Sequence, residues 1–167
     1  MGDRNDQEKF WAEEYSKNYI KKNDNFNIEL LLKGWRLILN KTSEINSVLE
    51  CGANIGRNIL ALETILPKTE KTAIEISPDA AKILKERFPN LNVKNSSILD
   101  SDHSGHTYDL VFTMGVLIHI APEDLMRTMD KMFNLSHRYI IMGEYFNRTP
   151  VSLTYQGQEN RLFKCDF

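Results

Sequence analysis

Residues Val48-Leu49-Glu50-Cys51-Gly52-Ala53-Asn54-Ile55-Gly56-Arg57-Asn58 constrain the fold more than any other stretch. An apolar run ends in a carboxylate, and the chain turns through two glycines. An apolar-periodic segment follows at once, Ile59-Leu60-Ala61-Leu62 with Ile65 and Leu66. The pattern changes from that of a buried strand to that of a helix across the turn. A strand that ends in an acid and a glycine turn, opening into a helix, is the layout of a site for a nucleotide-type cofactor.

The rest of the chain repeats this alternation. Apolar strands are predicted over 46–51, 71–76, 91–94, 108–113 and 138–143, with helices over 55–66, 78–88 and 122–136. Ser77 is placed as an N-cap with Pro78 at the first helical position, and Pro67 and Pro89 end the first two helices. Alternating strands and helices argue for an α/β fold, a doubly wound, Rossmann-like, mostly parallel sheet in three α/β/α layers, with right-handed crossovers. Upstream, a helix is predicted over 5–22 and broken by Asn23-Asp24-Asn25, and a second over 26–40 buries Ile28, Leu31, Leu32, Trp35, Ile38 and Leu39. In the first of these, Phe10, Trp11, Tyr15 and Tyr19 form an aromatic stripe. Two readings stand: it packs on the domain, or Trp11 and Tyr19 close over a bound cofactor as a lid. Downstream, Pro150, Thr154-Tyr155-Gln156, Gly157 and Leu162-Phe163 fit a hairpin or an extended substrate loop. One domain follows, with a helical cap over 1–44, a core over 45–144 and a tail over 145–167.

Composition narrows the function classes. No apolar run reaches the roughly 20 residues that a membrane helix needs, and Met1-Gly2-Asp3-Arg4-Asn5-Asp6 has no apolar region after it, unlike a secretory signal. Asp6 stands where a myristoylation motif wants Ser or Thr. Cys51 and Cys165 make neither a disulfide framework nor a zinc pattern, so a cytoplasmic, reducing setting is expected. A net charge of −2 gives no electrostatic case for nucleic acid.

The glycine turn discriminates among cofactors. A dinucleotide fingerprint needs glycine at 52, 54 and 57, where the chain has Gly52, Asn54 and Arg57, and the P-loop pattern is absent. What remains is acid-x-Gly-x-x-x-Gly. Gly52 and Gly56 let backbone approach a ligand closely, and Glu50 can hold a cationic group. Glu75, near the end of the second strand, stands where an acid accepts hydrogen bonds from ribose hydroxyls, and Ile76 offers an apolar surface to a base. His119 reads either as a general base or as a half-buried histidine bonded to a backbone carbonyl. Glu144, Tyr145 and Asn147 follow the fifth strand, at the carboxyl edge where open α/β sheets bind ligands. The other histidines make no metal cluster with His119, and no metal is expected.

Glu50, Gly52, Gly56 and Glu75 resemble motif I and its partner acid in class I S-adenosylmethionine-dependent methyltransferases, over about residues 46–144. The resemblance implies S-adenosylmethionine as cofactor, held by Glu50, Gly52, Ala53, Asn54, Gly56, Glu75, Ile76, Ser97, Ile98, Thr113, Met114 and Gly115, with Trp11 and Tyr19 above. Ser97 stands near where the family often has Asp to read the adenine amino group; the Ile98 amide and Asp100 are alternatives. An Asn-Pro-Pro-Tyr type motif is absent, which argues against methylation of nucleobase amines. Outer pieces resemble a narrower family, the methylases associated with pseudaminic acid biosynthesis: Glu8-Lys9-Phe10-Trp11, Phe112 to Ile120, Glu144 to Val151, and Leu162-Phe163-Lys164-Cys165-Asp166-Phe167. That implies a small-molecule acceptor of the nonulosonic sugar type or its precursor, with His119, Tyr145 and Glu144 as catalytic candidates. The family fold usually adds a helix and two strands after the fifth strand, so the chain reads as truncated before the last two strands, with one sheet edge uncovered. A non-catalytic cofactor-binding module and an NAD-dependent oxidoreductase are the alternatives, the second opposed by the glycine spacing.

Overall fold

The structure, a computed structural model, describes residues 4–23 and 25–167, without the side chains of Glu14, Lys22 and Asn23. Residues Met1, Gly2, Asp3 and Asp24, on which the N-terminal and helix-break readings partly rest, lie outside the described residues. The helices are α1 (Asp6–Lys9), α2 (Ser16–Asn23), α3 (Ile28–Leu39), α4 (Arg57–Ile65), α5 (Pro78–Arg87) and α6 (Pro122–Leu135). The strands are β1 (Ser47–Cys51), β2 (Glu70–Ile74), β3 (Asn92–Lys94), β4 (Tyr108–Met114), β5 (Ser136–Gly143), β6 (Val151–Tyr155) and β7 (Gln158–Lys164).

Five parallel strands form one sheet in the order β3-β2-β1-β4-β5, the doubly wound arrangement expected from the alternation. Side chains of β1 alternate between faces. Val48, with Leu110 and Phe112 of β4, packs on Trp35 of α3 and Ala61 and Leu62 of α4. Leu49 and Cys51, with Ile74 and Val111, pack on Met132 and Leu135 of α6. Helix α5 closes a third cluster through Leu84, against Ala73 and Ile59. Ser77 caps α5 by accepting from the Ala80 amide at 3.2 Å, with Pro78 in the first turn, as its sequence implies. Strand β5 pairs with β4 alone among the described residues, and Ile140 and Met142 on it are exposed.

Two local expectations change, and the tail takes one of its two expected forms. The helix expected over 5–22 is interrupted by a π-helical turn at Phe10–Glu14, closed by the Tyr15 amide on the Phe10 carbonyl at 3.0 Å. The five-residue step brings the rings of Phe10 and Tyr15 into a stack, 5.3 Å apart and 6° from parallel, and both are buried. The stripe therefore splits: Phe10 and Tyr15 pack inward, while Trp11 and Tyr19 stay half-exposed. Strand β2 ends at Ile74 because pairing with β3 stops at Ile74–Lys94, which leaves Glu75 just beyond the strand. The tail is a hairpin, β6 antiparallel to β7, and its turn residues Gln156 and Gly157 have φ of 53° and 81°. Two positive φ values in a two-residue loop match the right-handed twist of the strands.

The hairpin is tied to the cap. Arg161 donates from Nη1 to Gln7 Oε1 at 3.0 Å and to the Asp6 carbonyl at 3.2 Å, Gln7 Nε2 donates to the Arg161 carbonyl at 3.1 Å, and the guanidinium lies 4.8 Å over the Phe10 ring. Cap and hairpin thus meet above the carboxyl ends of β1, β2, β4 and β5.

Candidate active site

A cavity of about 720 Å³ opens at those strand ends, lined by residues of the core, the cap and the hairpin. Its floor is the glycine turn. The amides of Gly52 and Ala53 donate to the Ile74 carbonyl at 2.8 and 3.0 Å, which folds the turn back over β2. Gly52, Asn54 and Gly56 take φ of 78°, 48° and 82°. At Gly56 a β-carbon would lie 2.5 Å from Phe88 and 2.8 Å from Leu84, and at Gly52 one would lie 2.6 Å from Val116. The close approach that these glycines permit is therefore to the protein's own side chains. Gly56 does not line the cavity, nor does the fully buried Thr113. The Gly56 position faces Phe88 and Leu84, while Thr113 is fully buried with its hydroxyl unpartnered. The other cofactor candidates, from Trp11 and Tyr19 through Ala53, Asn54, Ile76, Ser97, Ile98, Met114 and Gly115, all line it.

Glu75 reaches the cavity from the first residue past β2. Its Oε2 accepts from the Asn54 amide at 2.6 Å and its Oε1 from the Ser77 amide at 2.8 Å. Asn95 Nδ2 holds the backbone of this bend by donating to the Glu75 carbonyl at 2.8 Å. Burial pushes the carboxyl up from its ordinary range, against the pull of these amides.

Glu50 is the penultimate residue of the central strand and is only 2% exposed. Its Oε1 accepts from Asn58 Nδ2 at 2.7 Å, and Asn58 Oδ1 accepts from Trp35 Nε1 at 3.1 Å. Its Oε2 is buried without a hydrogen-bond partner. Burial raises its pKa to about 8, the Asn58 bond lowers it, and the charge of Glu75 raises it further. A buried acceptor without a partner is costly unless a donor arrives, so Glu50 offers a place for a cationic donor. Asn58 is a candidate site residue not named from the sequence. Its only sequence signal is its place in the first turn of the helix that follows the glycines.

On the far side of Glu75, Ile76 and Ile98 face the cavity. The Ser97 hydroxyl accepts from the Asp100 amide at 3.1 Å and so caps its own turn, while the neighbouring Ser96 hydroxyl is buried, without a partner, at the cavity wall. Ser96 is the second residue missed, because sequence alone does not tell which of two adjacent serines faces inward. Asp100 is exposed and outside the lining.

His119 sits in a 3₁₀ turn at Leu117–His119. Its ring lies 4.1 Å from that of Trp11 and 5.3 Å from that of Tyr155. Burial lowers its pKa to about 4 against a small opposing effect of its bond to the Arg161 carbonyl. Glu144 does not present a loose carboxylate: Oε1 accepts from the Val116 amide at 3.1 Å and Oε2 from the Ile118 amide at 3.4 Å. It thereby holds the turn that carries His119. Tyr145 is at the cavity rim, 61% exposed. Asn147 donates to the Thr149 carbonyl at 2.6 Å and does not line the cavity. Tyr155 and Asp124, lining residues from the hairpin and from α6, were not legible as site residues. No group of three or more His, Cys, Asp or Glu among the described residues is placed to hold a metal ion, and no helix among them is long and apolar enough to cross a membrane.

The sequence profile of the methyltransferase domain matches residues 48–137. Among curated proteins, none matches. Solved structures share the fold. The plantazolicin methyltransferase BpumL in complex with S-adenosylhomocysteine superposes with a TM-score of 0.64 at 16% identity, over 81% of this chain and 56% of its own. The sugar N-methyltransferase KedS8 of Streptoalloteichus gives 0.64 at 16% identity, over 94% and 64%. The N-methyltransferase NodS of Bradyrhizobium japonicum, also with S-adenosylhomocysteine, gives 0.56 at 20% identity, over 72% and 67%. At these identities the likeness is one of fold. The chain spans little more than half the length of the BpumL structures.

Proposed function

Because the chain belongs to the methyltransferase domain family, we propose that the cavity binds S-adenosylmethionine and that the protein transfers its methyl group to a small-molecule acceptor. The observation that carries this reading is the pair of buried carboxylates, Glu50 and Glu75, brought into one cavity by the glycine turn. The residues fit the cofactor. The unpartnered Oε2 of Glu50 suits its ammonium, the two oxygens of Glu75 suit ribose hydroxyls, and Ile76 and Ile98 suit the faces of the base, with the Ser96 hydroxyl for a polar edge. When bound, the cofactor supplies a sulfonium methyl already activated for displacement.

The chain's own residues then have positioning work to do. Glu50 and Glu75 hold the ligand at its ammonium and at its ribose. Glu144 holds the 3₁₀ turn, and the turn holds His119. With its Nδ1–H on the Arg161 carbonyl, His119 keeps a lone pair on Nε2, ready to accept a hydrogen bond or a proton from an acceptor group. Trp11, Tyr19 and Tyr155 form the aromatic wall around it. The flanking pieces that resemble methylases of pseudaminic acid biosynthesis support an acceptor of the nonulosonic sugar type or a precursor of one, and a cytoplasmic setting.

Thermal-shift and calorimetric titrations with S-adenosylmethionine, S-adenosylhomocysteine and NAD test the reading. The first two stabilise the chain, by about 2.7 kcal/mol at a hundredfold excess over Kd, and NAD does not. A shift with NAD alone would reject it.

A further inference from the structure

We propose that the acceptor presents an amine, and that acceptors bearing a carboxylate or phosphate are turned away from the part of the cavity beside His119; this rests on the methyltransferase reading above. Five carboxylates line the cavity among the described residues, against one guanidinium, that of Arg57, which lies 4.9 Å over the Phe26 ring. Glu50 and Glu75 belong to the cofactor. The other three, Glu8, Asp124 and Glu144, line the same cavity as His119. Asn5 joins the first two, donating from its amide to Glu8 Oε2 at 3.2 Å and from Nδ2 to Asp124 Oδ2 at 2.8 Å. Trp11 follows Glu8 by one helical turn and packs on His119, and Glu144 holds the turn of His119 itself.

Nearby cations offset this wall only at Asp124. Arg127 pairs with Asp124 at 2.9 Å but is itself exposed and outside the lining, and Arg161 is spent on Gln7, the Asp6 carbonyl and the Phe10 ring. His119 adds no positive charge at neutral pH, since burial holds its pKa near 4. An anion entering here meets like charges in a half-desolvated space, where their interaction is stronger than in water. An ammonium meets carboxylates and, beside them, the rings of Trp11 and Tyr155, whose faces attract cations. Acid wall and aromatic wall are independent features that select the same group.

The chemistry balances. The ammonium gives one proton to bulk water. The freed lone pair forms a bond to the sulfonium methyl carbon as the carbon–sulfur bond breaks. Its electron pair stays on sulfur, which becomes a neutral thioether, and the positive charge passes to the methylated nitrogen. His119 Nε2 accepts a hydrogen bond from a remaining N–H and aims the lone pair. Among nonulosonic-type acceptors, this selects an amine-bearing precursor over the finished acid.

The test is calorimetry on the full chain saturated with S-adenosylhomocysteine, using glucosamine, glucose and glucuronate as size-matched probes. Glucosamine is expected to bind at least about tenfold more tightly than glucuronate, with glucose between. The preference should shrink in 0.5 M salt, roughly three times the physiological ionic strength, and in a Glu8→Gln, Asp124→Asn double variant shown to fold by circular dichroism. Glucuronate binding as tightly as glucosamine would overturn the proposal. So would an undiminished preference in the folded variant, or no binding of any probe. If S-adenosylhomocysteine itself does not bind, the methyltransferase reading fails first and takes this one with it.

Discussion

The backbone carbonyl of Arg161 accepts a hydrogen bond from His119 Nδ1 at 3.0 Å. A carbonyl can only accept, so this contact sets the imidazole tautomer and leaves the lone pair on Nε2. It also joins a hairpin residue to a loop that follows β4, over forty positions upstream.

His119→Gln is expected to lower kcat by about a hundredfold while cofactor binding stays nearly unchanged, the pattern of a group that acts on the acceptor. The ring also shapes stability. Its folded pKa is depressed, from 6.5 to about 4. Its contribution is therefore present above the unfolded value and lost as pH falls from about 6.5 through 4, by roughly 3 kcal/mol in all. Urea unfolding across that range should show a smaller loss in His119→Gln than in the parent chain.

Glu50 titrates in the opposite sense. A carboxyl raised to about 8 is mostly protonated at neutral pH, so its stabilising share is present below its unfolded value and lost as pH rises through 8. A cationic group arriving at Oε2 ionises it. Cofactor binding at pH 7 should release close to one proton per chain, read as a dependence of calorimetric heat on buffer ionisation enthalpy. Glu50→Gln should abolish that dependence and flatten the loss of stability between about pH 4.5 and 8. Buffer-independent heat in the parent chain would reject this role.

Glu75→Ala removes an acceptor from the Asn54 and Ser77 amides as well as from the ribose. Affinity for S-adenosylhomocysteine should fall by tenfold or more, roughly 1.4 kcal/mol or above. Unchanged affinity would remove Glu75 from the site.

Gly56→Ala and Gly105→Ala separate packing from backbone strain. Both positions have positive φ, 82° and 75°, but a β-carbon at Gly56 meets Phe88 at 2.5 Å and one at Gly105 meets nothing within 4 Å. Gly105→Ala should cost about 1 kcal/mol, from the left-handed conformation alone. Gly56→Ala adds about 1–3 kcal/mol of overpacking. Equal losses in chemical denaturation would contradict the geometry.

Glu144→Ala strips the acceptor from the amides of Val116 and Ile118. Hydrogen exchange at those two amides should accelerate, and kcat should fall more than cofactor affinity. Glu144→Gln, which keeps an acceptor, should restore part of both. A large loss of kcat with exchange unchanged would point instead to direct contact with the acceptor.

Most of the sheet was legible because its signals are local. The apolar run before Glu50, the cap at Ser77-Pro78 and the prolines that end helices act within a few residues, so they predict elements with boundaries off by one or two positions. The grouping of the residues proposed for the cofactor was legible for the same reason: Glu50, Gly52 and Glu75 lie on one turn and beside the end of the adjacent strand. Gly56 and Thr113 lie outside the cavity lining, because a motif does not tell a position that faces a cavity from one that faces packed side chains. Asn58 and Ser96 escaped because one hydroxyl or amide among many carries no sequence mark.

By itself, then, the sequence determined the α/β alternation, the glycine turn that refuses a dinucleotide, and the acids beside it. These rest on steric and hydrogen-bonding preferences between near neighbours in the chain. Only the tertiary structure decided what surrounds His119. Trp11 comes from the cap, Glu144 from just past β5, and Tyr155 and the Arg161 carbonyl from the hairpin. Their convergence depends on long-range packing, above all the π turn that buries Phe10 and Tyr15 while leaving Trp11 at the cavity wall, and no local pattern encodes such a meeting.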